Sequence, residues 1–252
     1  MRFASLGSGS KGNATLIENE TTCVMVDCGF SCVEVEKRLQ RLGRQSKDVD
    51  AILVTHEHSD HIAGVARFSR KFDVPVWATA GTLSAKQADG VTNAQLINSH
   101  VGFSIGDIHI QPFPVPHDAR EPCQFVFTDG GVQLGILTDI GMITPHVIQT
   151  LGGIDALILE CNHDPKMLQQ GPYPHALKQR VGGHFGHLNN AQAAKLLDSM
   201  DTSKLRMLVL AHLSDKNNHP ELAMDALNTS IDFDQIDITI ACQKNGFDWH
   251  HI

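Results

Sequence analysis

Ala51-Ile52-Leu53-Val54-Thr55-His56-Glu57-His58-Ser59-Asp60-His61 runs four apolar residues directly into a segment with three histidines and two acids. An apolar run that short, rich in β-branched residues and ending abruptly in polar ones, predicts a buried strand delivering a loop. Imidazoles and a carboxylate at the spacing H-x-H-x-D-H cannot all reach one tetrahedral ion without strain, but they can divide between two adjacent ions. Neutral imidazole and carboxylate suit zinc, manganese or iron, so the ligand set permits a dinuclear site. The plainer alternative is a polar turn in which Ser59 or Asp60 caps a helix, which leaves the clustered histidines unaccounted for.

Upstream, Met1 to Leu6 reads as a strand, Gly7-Ser8-Gly9-Ser10-Lys11-Gly12-Asn13 as a turn, and Ala14 to Glu18 as a second strand. The turn either offers N–H groups and hydroxyls to an anion or uses Gly and Asn for positive φ. Cys23 to Asp27 is a third strand, and Ser31 to Leu42 a helix closed by Gly43. Downstream, a helix over Ile62 to Lys71 and a strand over Val74 to Ala78 give the βαβ rhythm. Ile105 to Val115 alternates around Gly106 and leads to a strand end before His117, and Cys123 to Phe127 with Gln133 to Leu137 reads as a hairpin around Asp129-Gly130-Gly131.

Thr144-Pro145 opens a helix, and Ala156 to Leu159 is a buried strand ending in Glu160. Lys166 to Gly183, with Gly171-Pro172-Tyr173-Pro174, reads as loop-rich. Ala191 to Met200 is a helix, Leu205 to Ala211 an all-apolar strand and Pro220 to Ile231 a helix. Ile236 to Gln243 and Phe247 to Ile252 close the chain as strands.

The 252 residues suit one α/β domain spanning 1–252, and 42% hydrophobic with 19% charged residues is the composition of a soluble globular protein. No apolar run approaches the roughly 18 residues of a membrane span, so no membrane partner is expected. The N-terminus turns polar too early for a signal peptide, which makes cytoplasmic residence the expectation. The six cysteines form no C-x-x-C pair and read as free thiols. Net charge is −8, the wrong sign for broad phosphate neutralisation, so a nucleic-acid substrate would have to be held locally. The basic run Lys37, Arg38, Arg41, Arg44 and Lys47 reads as a solvated helix face.

One positional pattern stands out: Asp27, the His56 to His61 loop, His117, Asp139 and His212 each follow a strand immediately. In α/β sheets ligands gather where strands end, so these residues can converge on one edge. In that order the set resembles the five motifs of the metallo-β-lactamase fold superfamily, from the first strand to about Asn218. The resemblance implies a four-layer αβ/βα sandwich with a dinuclear metal site at the strand-end edge. It implies that His56, His58 and His117 hold one metal, that Asp60, His61 and His212 hold the second, and that Asp139 bridges them. Asp27 would orient the loop from behind.

Leu6-Gly-Ser-Gly-Ser-Lys-Gly-Asn-Ala14, Glu160-Cys-Asn-His-Asp164, Gly186-His-Leu-Asn-Asn190 and Leu210-Ala-His-Leu-Ser-Asp-Lys-Asn-Asn218 are similar to the YycJ/WalJ family within that superfamily. Lys11 and Asn189 depart from its pattern, which has a small residue and a serine there. The family implies 5′ to 3′ exonuclease activity on DNA and kinship with tRNase Z and the RNase J group. Two ions, zinc or manganese and possibly iron, would lower the pKa of a bridging water and supply hydroxide near neutral pH. Asp60 would also accept a hydrogen bond from that nucleophile, and His187 would contact phosphate or protonate the leaving oxygen. Ser8, Ser10, Asn13, Asn162, His163 and His187 are the expected phosphate contacts. The competing readings are a thioester or lactone hydrolase of the glyoxalase II or lactonase type, and a non-catalytic metal-binding regulator.

Overall fold

Strands that are apolar at every position need cover on both faces, and the computed structural model, which describes residues 1–252, supplies it with two sheets stacked between two helical layers. The first sheet holds β1 (Arg2–Gly7), β2 (Ala14–Glu18), β3 (Cys23–Val26), β4 (Ala51–Leu53), β5 (Val76–Ala78) and β6 (Ala94–Leu96). The second holds β7 (Phe103–Ile105), β8 (Ile108–Pro114), β9 (Cys123–Thr128), β10 (Gln133–Leu137), β11 (Ala156–Glu160), β12 (Met207–Ala211) and β13 (Asp237–Ile240). The last strand, β14 (Phe247–His251), returns to the first sheet beside β1. In each sheet antiparallel pairing gives way to parallel pairing partway across, at β3 in the first and at β10 in the second.

The pleat sorts the side chains. Ala156 and Ile158 of β11 and Met207 and Val209 of β12 point between the sheets, where they meet Phe3, Ile17, Val24, Phe125 and Phe127. Leu157, Leu159, Leu208 and Leu210 point outward, against the apolar stripes of α5 (Pro145–Leu151), α8 (Asn190–Ser199) and α9 (Pro220–Leu227). On the other side, α1 (Cys32–Arg41) and α3 (Val65–Phe72) bury Val35, Leu39, Val65 and Phe68 on Leu6, Leu16, Met25 and Ile52. Burying each such side chain stabilises the fold by about 1.5–3 kcal/mol.

The predicted helix Ile62 to Lys71 is α3, which starts later, at Val65, and follows a separate turn, α2 (Ser59–Ile62); between them the Gly64 N–H donates out of the helix, to the Cys28 carbonyl at 2.8 Å. The strand expected over Ile105 to Val115 is β8, Ile108–Pro114; Ile105 ends β7, and the two pair as a hairpin turning through Gly106 at φ 52°. The segment Lys166 to Gly183, expected to be loop-rich, is mostly helical: it carries α6 (Pro165–Gln170) and α7 (His175–Val181), while α4 (Ala80–Leu83) is a further short helix. No helix is long and apolar enough to cross a membrane.

Candidate metal centre

β3, β4, β8, β10 and β12 deliver Asp27, the His56 to His61 loop, His117, Asp139 and His212 to the edge between the sheets. Four non-glycine residues adopt positive φ, and three of them are here: Asp27 at 60°, Asp139 at 55° and His212 at 54°. A left-handed turn in such residues costs on the order of 1 kcal/mol and persists only where neighbours hold it. His212 shows how. Its N–H donates to Ser8 Oγ at 2.9 Å, and its carbonyl accepts from Asn162 Nδ2 at 3.0 Å. The loop itself is clamped from below, where Gly29 lies so close that a Cβ would sit 1.7 Å from the Asp60 carbonyl oxygen.

Each imidazole is anchored through one nitrogen. His61 Nδ1 lies 2.7 Å from Asp27 Oδ2, and His117 Nδ1 lies 2.9 Å from the Gly186 carbonyl. His58 uses Nε2 instead, 3.2 Å from the Asp118 carbonyl. Thr55 Oγ1 donates to Asp27 at 2.9 Å, so at 3.0 Å it accepts from His56 Nδ1. With one nitrogen donating, the other presents a lone pair, which is how metal-binding histidines are commonly oriented.

Those lone pairs converge. The ligand atoms of His56, His58 and His117 lie within 4.8 Å of one another, and so do those of Asp60, His61 and His212. Asp139 stands between them, with Oδ2 at 3.0 Å from His61 Nε2 and Oδ1 at 3.9 Å from His117 Nε2. His56 Nε2, His212 Nε2 and Asp139 Oδ2 are buried with no hydrogen-bond partner. Such orphaned atoms are costly unless something binds them, and every one is a good ligand for a divalent cation.

Charge points the same way. Burial pushes the Asp139 carboxyl up, but the His212 and His61 imidazoles outweigh it and hold it well below the carboxylate range. Burial also disfavours charge on His212, yet Asp139, Asp60 and Glu160 raise it to about 10. Buried carboxylates that draw protons onto their neighbours demand positive charge, and the donor set fits divalent cations as the supply.

Glu160 is the residue that strand patterning passed over. The alternation that puts Ala156 and Ile158 between the sheets puts Glu160 there as well, fully buried. Its Oε1 lies 2.9 Å from His212 Nδ1 and 2.8 Å from His187 Nδ1, while Oε2 accepts from Ile140 N at 3.1 Å and Leu188 N at 3.0 Å. Burial works to raise this carboxyl, and His187 and His212 bring it down to about 2.

A cleft of about 410 Å³ opens above the cluster, with His58, Asp60, Asp139, His187 and His212 as its floor. Of the expected phosphate contacts, Ser10 and His187 line it. Ser8, Asn13, Asn162 and His163 are buried behind it and engaged within the protein. Ser8 and Asn162 hold His212, and Asn13 Oδ1 accepts from Gly9 N at 2.8 Å while its Nδ2 sits 3.1 Å from His61 Nε2. His163 Nδ1 lies 3.3 Å from Asn162 Oδ1, and burial lowers its pKa to about 4. Asn189 caps α8 by accepting from Gln192 N, a role serine also fills, and Lys11 pairs with Asp215 at 2.7 Å. Larger cavities of about 630 and 570 Å³ lie elsewhere and hold no cluster of ligating side chains.

The two sheets, their flanking helices and this strand-end cluster are those of a metal-dependent hydrolase. The sequence profile of the beta-lactamase superfamily domain matches residues 22–213, and the chain belongs to that superfamily, with the metallo-β-lactamase fold. Within it, the chain is 36% identical over 227 residues to the exodeoxyribonuclease YycJ of Bacillus anthracis, covering 88% of this chain and 86% of that one. It is 34% identical over 228 residues to the exodeoxyribonuclease WalJ of Streptococcus pneumoniae, covering 88% and 85%. In fold it is similar to the metallo-β-lactamase fold protein YhfI from Bacillus subtilis, with TM-score 0.77, 17% identity and 99% of each chain covered.

Proposed function

We propose that the chain is a dinuclear phosphodiesterase acting on nucleic acid, as a 5′ to 3′ exonuclease on DNA. The observation that carries this reading is His187. It lines the cleft, stands outside the His56, His58, His117 and Asp60, His61, His212 triads although it clusters with Asp139, Glu160 and His212, and is held through Nδ1 by a buried carboxylate. A proton donor in that position serves a poor leaving group such as a sugar alkoxide, whereas a thiolate leaves without one. The curated relatives named exodeoxyribonuclease support the same substrate class.

In this proposal His56, His58 and His117 would hold one divalent ion and Asp60, His61 and His212 the other, with the Asp139 carboxylate available to both. Zinc and manganese both suit the donors. When bound, the ions supply Lewis-acid charge to phosphoryl oxygens and lower the pKa of water. Asp60 orients the attacking water by accepting its hydrogen bond. His187 delivers a proton to the departing oxygen. Burial opposes charge on His187, but Glu160 and then Asp139 raise its pKa above the ordinary imidazole value, which favours the proton-bearing form. Asp27 fixes His61, and Glu160 fixes His187 and His212, so that the ligands keep their aim.

The test is a parallel assay of the protein with zinc or manganese on end-labelled DNA, bis-p-nitrophenyl phosphate and a thioester. Mononucleotide release from DNA is the expected result, and preference for the thioester would overturn the reading. His187→Ala should cut DNA cleavage about 100-fold while sparing the p-nitrophenyl diester, whose leaving group needs no proton.

A further inference from the structure

The cleft has a floor of ligating side chains and a wall of another kind. Tyr173, Leu177 and Val181 line it together with Arg180. Leu177, Arg180 and Val181 are spaced i, i+3, i+4 along α7, so one face of that helix is turned to the cleft. No residue of α7 is fully buried, and Leu177 and Val181 are half-buried where they border the cleft.

The wall is held in register with the chemistry below it. His187 N donates to the Val181 carbonyl at 2.8 Å, and Gly186 approaches so closely that a Cβ would lie 2.2 Å from the carbonyl oxygens of Arg180 and Val181. Tyr173, the one tyrosine of the chain, sits between Pro172 and Pro174, which limit its backbone freedom. The Lys216 ammonium lies over its ring, 5.7 Å from the centroid. Arg180 is paired with Asp118 and its side chain is 59% exposed.

We infer that this wall is a nucleobase subsite: Tyr173, with Leu177 and Val181, receives the base of the nucleotide whose phosphate lies on the histidine and aspartate floor, and Arg180 faces that strand's backbone. An aromatic ring and aliphatic side chains suit the flat apolar face of a base, and a cation beside them suits the phosphate. A volume of about 410 Å³ is on the scale of one small ligand. A base can turn its face to the wall only when unpaired. The terminal pair of a duplex therefore has to open before its 5′ base can enter. The inference rests on the nuclease reading above.

The experiment compares two 5′-phosphorylated single-stranded oligodeoxynucleotides, one intact and one with an abasic residue at the 5′ terminus, using the metal-loaded full chain. The first readout is KM and kcat, and the second is binding of the phosphorothioate-protected forms by fluorescence anisotropy. The wild-type protein should favour the intact strand by about 10-fold, mostly in KM and in binding. Tyr173→Ala should collapse that ratio towards one, Tyr173→Phe should preserve it, and Leu177→Asp, which charges the wall, should abolish it. Should either disruptive variant fold poorly by thermal melting, the wild-type ratio still decides. Cleavage of both strands with equal efficiency by the wild-type protein overturns the base subsite and leaves the nuclease reading standing. No cleavage and no binding of either strand, with the thioester hydrolysed, overturns both.

Discussion

Glu160 Oε1 lies 2.9 Å from His212 Nδ1, and the same oxygen lies 2.8 Å from His187 Nδ1. One buried atom therefore fixes a proposed metal ligand and the proposed proton donor together. Since both backbone N–H groups on Oε2 also donate, the side chain must be an acceptor on every side. Glu160→Gln places an amide NH₂ against at least one donor. It should weaken metal affinity 10- to 100-fold and lower activity further, which metal-titration calorimetry beside a rate assay will resolve.

Asp139→Ala removes the carboxylate that stands between the two triads. The expected result is loss of at least one of two bound ions, read by elemental analysis of the purified variant. Retention of two would remove Asp139 from the ligand set.

Gly29→Ala tests the clamp beneath the histidine loop. The added Cβ would meet the Asp60 carbonyl oxygen at 1.7 Å, a backbone atom that cannot swing aside. Displacement of Asp60 should destabilise the fold by about 2 kcal/mol or more and lower metal affinity. Urea denaturation and metal titration of the variant check the two effects separately.

His163 predicts an acid-sensitive stability. Burial lowers its pKa to about 4, against an ordinary value near 6.5 in the unfolded chain. The unfolded state then binds the extra proton first, so this contribution is full above about 6.5 and fades as pH falls towards 4. The whole span is worth on the order of 3 kcal/mol. His163→Gln, which does not titrate, should flatten the dependence of the urea midpoint on pH across that window, with the proposed metal ligands left in place.

Strand ends were legible because their apolar runs stop at an acid or a histidine, as at Val26-Asp27 and Ala211-His212. Glu160 ends β11 in the same manner, but a lone glutamate looks like any surface acid until the pleat is counted from Ala156. The helices α6 and α7 were hidden by their length, six and seven residues, and by the Gly-Pro-Tyr-Pro turn between them. Yet Asp164-Pro165, an N-cap followed by a first-turn proline, was a readable helix start. Ser8 and Asn162 offered no sequence sign that their polar groups serve the backbone of His212, because that pairing spans some 50 to 200 residues.

The proposed ligand set is drawn from both sheets: His56, His58, Asp60 and His61 follow β4 of the first, and His117, Asp139 and His212 follow β8, β10 and β12 of the second. On the proposed assignment each ion is thus also a cross-link between the halves of the chain. The ion shared by His61 and His212 closes a loop of about 150 residues, a constraint on the unfolded ensemble worth on the order of 5 kcal/mol by the chain-entropy relation for disulfides. Chelation should therefore loosen the seam where the two sheets meet, and the protein would hold its halves together with the same atoms that it uses for hydrolysis.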